Sequence, residues 1–298
     1  METNIEESGE RFVSRFCTGI IITFSFLACR ETNKESKKIS YGIAASSLPE
    51  FKTSIARPSS IKKKKIYLTF DDGPNKGTRN VLSIIEQENV PATFFIIGEH
   101  VVGSAAQNQT WDSLKTAKNI ELCNHSYTHA MHNHYAKFYN HPDSVVKEVV
   151  KTQEELQLQS NIVRAPGRNC WRIDSLQYTD IKKSKAAIDS LQNAGFIVIG
   201  WDLEWHFDPQ TLRVQNTADE LLKKIDSVFK RGKTKTSGNL VLLAHDQVYQ
   251  NRADSAQLRE LVQKLKQKDE YELLLVKDYP GIMKPGTGST KAKTTMQQ

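Results

Sequence analysis

Short β-rich apolar runs alternate with amphipathic helical stretches from residue 66 to residue 276, and no other feature of this 298-residue chain constrains its fold as strongly. The runs fall at 66–70, 92–97, 120–123, 161–163, 196–199, 240–243 and 271–276. Between most of them, residues 78–88, 144–158, 181–194, 218–230 and 253–266 carry apolar side chains at three-to-four spacing, which predicts helices. The alternation predicts a parallel β/α architecture, and its seven strands suggest an incomplete barrel rather than the eightfold one. Residues 98–119 are less regular and read as a loop followed by a short helix over 112–118.

The unusual polar residues gather where these strands end. Asp71 and Asp72 follow the first run and precede a Gly73-Pro74 breaker, so a turn there lets both carboxylates converge. Adjacent carboxylates repel unless a cation or a shared proton offsets them, which makes the pair a candidate metal ligand plus general base; a helix N-cap is the alternative. His125 and His129 follow the third run at i and i+4, a spacing that on a helical turn places both imidazoles on one ion. A pair of surface histidines has the same spacing, and the Glu that a zincin carries beside its first His is Ser126 here. Arg164-Ala165-Pro166-Gly167 follows the fourth run, Trp201-Asp202-Leu203-Glu204-Trp205 the fifth and Ala244-His245-Asp246 the sixth. Each motif is weak alone, but all occupy the strand ends where β/α barrels build active sites.

Charge separates the tails from this region. Residues 30–65 hold ten basic and three acidic side chains, whereas residues 66–280 hold 26 basic and 27 acidic ones. The basicity belongs to the tails, so a nucleic-acid face on the folded region is not expected. Arg11 and Arg15 precede a mostly apolar run over 16–28, the length of a signal-peptide core. It ends in Phe26-Leu27-Ala28-Cys29, which resembles a bacterial lipobox with Cys29 as the lipidated residue. The organisation expected is a signal peptide at 1–28, a flexible basic linker at 30–65, a catalytic domain at 66–280 and a disordered tail at 281–298. Cys123 and Cys170 then remain, read as free buried thiols with a disulfide as the alternative.

In this order, TFDDGP, HSYTH, RAPG, WDLEW and LLAH resemble the five motifs of the polysaccharide deacetylases, the NodB-homology domain of carbohydrate esterase family 4, over residues 64–280. The resemblance implies a distorted, incomplete (β/α)7 barrel. It implies a metal triad of Asp72, His125 and His129, with Asp71 as base, Arg164 paired with the base and His245 as acid. It further implies substrate contacts at Leu243, Gly167, Trp201, Asp202, Glu204 and Trp205. The motifs depart from the family in two places. Gly167 stands where an aromatic usually follows the proline, and Asp202 and Glu204 are two apart where the family has an acid-x-x-acid-Trp pattern.

The function expected is metal-dependent removal of N-acetyl groups from an N-acetylglucosamine-type polysaccharide, with Zn2+ as the ion and Co2+ or Ni2+ as alternatives. O-acetyl esterase action on xylan is the alternative chemistry, and a lipid-anchored glycan-binding protein with a decayed site the alternative class. The protein is expected to be an exported, membrane-anchored lipoprotein of the bacterial envelope, to act as a monomer, and to bind acetylated polysaccharide but no nucleic acid.

Overall fold

The computed structural model describes residues 62–282, which lie within one compact unit, Arg57–Gln298. The expected signal peptide, Cys29, the linker up to residue 61 and the tail from residue 283 lie outside the described residues. In chain order the strands are β1 (Lys64–Gly73), β2 (Ala92–Ile96), β3 (Ile120–Asn124), β4 (Ile162–Val163), β5 (Cys170–Ile173) and β6 (Leu176–Thr179). They continue with β7 (Ile197–Val198), β8 (Leu203–Glu204), β9 (Phe207–Asp208), β10 (Arg213–Val214), β11 (Asn239–His245) and β12 (Tyr271–Leu273).

Seven of these pair in parallel in the order β7-β4-β3-β2-β1-β11-β8. Curling of the sheet follows from the chain that joins its two edges. Ile199 N donates to Val163 O on β4 at 3.0 Å, while Asp202 N donates to Val241 O on β11 at 2.9 Å. Three residues span at most about 11 Å of extended chain, so opposite edges of the sheet approach that closely. The result is the distorted, incomplete barrel expected, with Gly200 and Trp201 bridging its open seam.

Six of the seven expected strands lie on this path. The seventh, Tyr271–Leu273, pairs instead with the start of β1, and two-residue β8 takes the rim position. A strand of two residues carries no period by which it could be read. β1 begins at Lys64, inside the stretch expected to be linker, because the Lys64 ammonium pairs with Glu270 at 2.6 Å and lies over the Phe229 and Tyr271 rings. The expected helices appear as Thr78–Glu88, Pro142–Glu155, Lys185–Asn193, Ala218–Lys230 and Arg252–Gln267. Residues 98–119 depart from the reading: they form helices Gly98–Val102 and Ala105–Thr116, the second capped by Ser104 Oγ accepting from Gln107 N and anchored by buried Trp111 and Leu114.

Alternation along β1 decides what faces the site. Ile66, Leu68 and Phe70 pack outward into the core beneath the helices, while Tyr67 packs into the barrel interior with Phe95, Trp171 and Val241. Thr69 and Asp71 share the inward face of Tyr67. The lower end of the interior is filled by residues 276–279: Val276 N donates to Thr93 Oγ1, Lys277 N donates to Glu121 Oε2, and the Tyr279 ring lies 5.2 Å from that of Tyr67. Cys123 and Cys170 are free and buried, as read.

Candidate active site

At the end of β1, the two acids are brought to one side by a break in the strand. The register between β1 and β2 shifts between Asp71 and Gly73, and Asp72 adopts φ 75°. On a regular strand their side chains would oppose each other, and the left-handed residue undoes that alternation. Asp71 Oδ1 accepts from Arg164 Nη1 at 2.8 Å, and the same nitrogen donates to Thr69 Oγ1 at 2.8 Å. Arg164 Nη2 donates to Gly200 O at 3.0 Å, and the guanidinium lies 4.1 Å from the centre of the Phe95 ring. Arg164 is 0% exposed, so it is a fully desolvated cation whose charge is matched by one carboxylate.

Three electron-pair donors converge beside this pair. His125 Nδ1 lies 2.8 Å from Arg164 O, and since a carbonyl only accepts, that nitrogen carries a proton and Nε2 is the nitrogen whose lone pair the neutral imidazole can offer to an ion. By the same argument the 2.6 Å contact from His129 Nδ1 to Asn133 Oδ1 frees His129 Nε2. The two Nε2 atoms stand 3.5 and 3.4 Å from Asp72 Oδ1, a buried oxygen that makes no hydrogen bond among the described residues. Ligands about 2.1 Å from a tetrahedral ion lie about 3.4 Å apart, and with all three atoms within 4.8 Å of one another these residues could hold a divalent cation. Burial alone would raise the Asp72 carboxyl, but the facing His125, His245 and His129 hold it well below the usual carboxylate range.

HSYTH is not the helical turn that its spacing suggested. Ser126 has φ 62°, and His129–Asn133 is a left-handed turn, with Ala130, Met131 and His132 at φ 54–58° and ψ 51–55°. Each residue there costs roughly 1–2 kcal/mol relative to the right-handed form, so its surroundings must fix it. Thr128 anchors its entrance by donating from N and Oγ1 to Glu148 Oε2, at 2.7 and 2.9 Å. Thr128 O then accepts from His132 N at 2.8 Å.

The site opens into a cavity of about 690 Å³. Across it from the His pair, His245 lines the wall with Leu243 and Trp201, its Nδ1 buried without a hydrogen-bond partner among the described residues and its ring 5.1 Å from that of Phe207. Gly167 lines the near wall at φ 61°, where a Cβ would stand 2.6 Å from the Tyr135 ring.

Residues 59–187 match the sequence profile described as Polysaccharide deacetylase, a stretch that contains Asp71, Asp72, His125, His129 and Arg164. That stretch is similar to the polysaccharide deacetylases and makes up less than half of the chain. The chain is 38% identical over 80 residues to a chitin disaccharide deacetylase of Vibrio alginolyticus, covering 26% of this chain and 19% of that protein. It is 32% identical over 112 residues to a peptidoglycan-N-acetylglucosamine deacetylase of Bacillus cereus, covering 38% and 37%. The chain thus spans well under two thirds of the length of such curated relatives. A carbohydrate esterase family 4 esterase of Streptococcus mutans superposes with a TM-score of 0.53 at 22% identity, over 72% of this chain and 87% of that one, a likeness of fold.

Two expected substrate contacts are not at the cavity. Trp205 is buried in the outer core against Tyr249, with Nε1 donating to Asn216 O at 3.0 Å. Asp202 turns away and accepts from Lys235 N and Val241 N at 2.6 and 2.9 Å; burial pushes its carboxyl up to about 6. Trp201 and Glu204 line the cavity, whereas Asp202 and Trp205 do not. Neither Asp202 nor Glu204 hydrogen-bonds Arg164; Glu204 Oε1 lies 3.4 Å from His206 Nδ1. Asn133, Tyr135 and Phe207 were missed, having no motif or period to mark them. His132 lines the cavity too.

Proposed function

We propose that this domain hydrolyses the acetamide of N-acetylglucosamine units in a polysaccharide such as peptidoglycan, a chitin-like polymer or poly-N-acetylglucosamine. The observation that carries the reading is the convergence of His125 Nε2 and His129 Nε2 on Asp72 Oδ1, at 3.5 and 3.4 Å, beside an arginine-paired carboxylate. A divalent ion, Zn2+ or alternatively Co2+ or Ni2+, would be held by these three and would supply Lewis acidity to a water and to the acetyl oxygen.

The chain's own groups account for the proton traffic. Asp71, oriented by Arg164, takes a proton from the attacking water as its oxygen bonds to the acetyl carbon. His245, from the other side of the cavity, gives a proton to the nitrogen as the carbon–nitrogen bond breaks, since an unprotonated amine leaves poorly. Acetate and a free amino sugar result. Leu243 borders the acetyl methyl, Trp201 and Glu204 border the sugar, and the backbone at Gly167 faces the developing oxyanion. The envelope location read from residues 16–29 supplies the polymer and belongs to the same proposal.

Acetate release from peptidoglycan, chitin oligomers, poly-N-acetylglucosamine and acetylxylan, each with and without chelator, tests it. Chelator-sensitive release from an N-acetylated polymer supports the reading. Release from acetylxylan alone would favour the O-acetyl esterase, and binding without release the decayed site.

A further inference from the structure

The left-handed turn His129–Asn133 carries one contact that the proposed chemistry does not use. Asn133 Oδ1 receives two donors, His129 Nδ1 at 2.6 Å and the Tyr135 hydroxyl at 2.9 Å. The Tyr135 ring stands edge-on to the His129 ring, with centroids 5.9 Å apart, and its other side meets the space above Gly167. The turn is fixed from several directions. Glu148 holds Thr128, Glu99 Oε2 lies 3.1 Å from His132 Nε2, and Met131 O accepts from His134 Nδ1 at 2.7 Å. Five consecutive non-glycine residues at positive φ are retained only where something over-determines them.

From this we infer that Asn133 and Tyr135 are positioning residues for the ligand His129. Tyr135 holds the Asn133 amide with its oxygen toward the imidazole, and that oxygen fixes the tautomer and the ring plane in which Nε2 faces Asp72. The left-handed turn is the backbone device that carries Asn133 behind the ring. This inference rests on the reading of Asp72, His125 and His129 as a metal site.

The test is Zn2+ affinity of the full chain, measured by competition with a chromogenic chelator and without substrate. Asn133→Gly keeps the positive φ and removes the acceptor, and it is expected to weaken Zn2+ binding about 10- to 100-fold. Asn133→Asp keeps an acceptor and is expected to stay within about threefold of wild type. Tyr135→Phe removes one hydrogen bond while retaining the ring, and is expected to weaken binding about three- to tenfold. It also serves where the glycine variant does not fold. Wild-type affinity in Asn133→Gly and Tyr135→Phe, or equal loss in Asn133→Gly and Asn133→Asp, overturns the inference and leaves the metal site standing. Failure of the wild-type protein to bind one equivalent of Zn2+ overturns the metal site, and this inference with it.

Discussion

Asp71 and His245 are paired positions on adjacent parallel strands, β1 and β11. The residue proposed to take a proton and the one proposed to give it are therefore set by a single register. Their separation is a property of the barrel rather than of a mobile loop. The register is locked from behind by Asp246, which pairs with Asn75 Nδ2 and accepts from Thr78 Oγ1 at 2.5 Å, tying the loop after β11 to the loop after β1.

Asp246 gives a pH prediction. It is fully buried, and burial is the chief cause that pushes its carboxyl up to about 8, with the charges of Asp72 and Asp71 adding to it. Between about pH 4 and 8 the native state retains a proton that the unfolded chain releases, so this group's stabilising contribution is complete at low pH and is lost as pH rises toward 8. The slope is up to about 1.4 kcal/mol per pH unit. Denaturant titrations of the chelated protein should show stability falling over this window, with a shallower fall in Asp246→Asn.

Arg164 should behave as a buried ion-pair partner. Arg164→Ala leaves Asp71 and Thr69 facing a void, and breaking such a pair costs about 3–5 kcal/mol. Urea midpoints should fall accordingly, with activity lost even where the variant is folded.

Gly167 and Tyr135 should couple. Gly167→Ala places a Cβ 2.6 Å from the Tyr135 ring at φ 61°, adding a clash to a backbone penalty of about 1 kcal/mol or more. Tyr135→Ala should rescue the clash but not the backbone term. A double-mutant cycle in thermal melting should therefore show an interaction energy of about 0.5–3 kcal/mol.

The two tryptophans of WDLEW should separate. Trp205→Ala empties a core site and should cost about 3–5 kcal/mol of stability. Trp201→Ala, at the cavity wall, should raise KM with little change in melting temperature.

Much of this was legible in the sequence because each relevant residue follows an apolar run. Strands buried on both faces read as continuous hydrophobic stretches, so β1, β2, β3 and β11 and the polar residues at their ends could be placed. Asp71 beside Asp72, and His125 four residues before His129, are spacings that chemistry restricts. What could not be read depends on backbone conformations without a period. The positive φ of Asp72, the handedness of His129–Asn133 and the two-residue strand β8 are set by tertiary contacts such as Thr128 with Glu148. Asn133 and Tyr135 reach the site through that turn, and no local pattern announces them.

The most direct test measures bound Zn2+ and acetate release together in wild type, Asp71→Asn and His129→Ala, using chitin oligomers and peptidoglycan. Wild type should bind one ion and release acetate. Asp71→Asn should keep the ion and lose release, and His129→Ala should lose both. Undiminished acetate release by Asp71→Asn, or by wild type stripped of metal, would contradict the account.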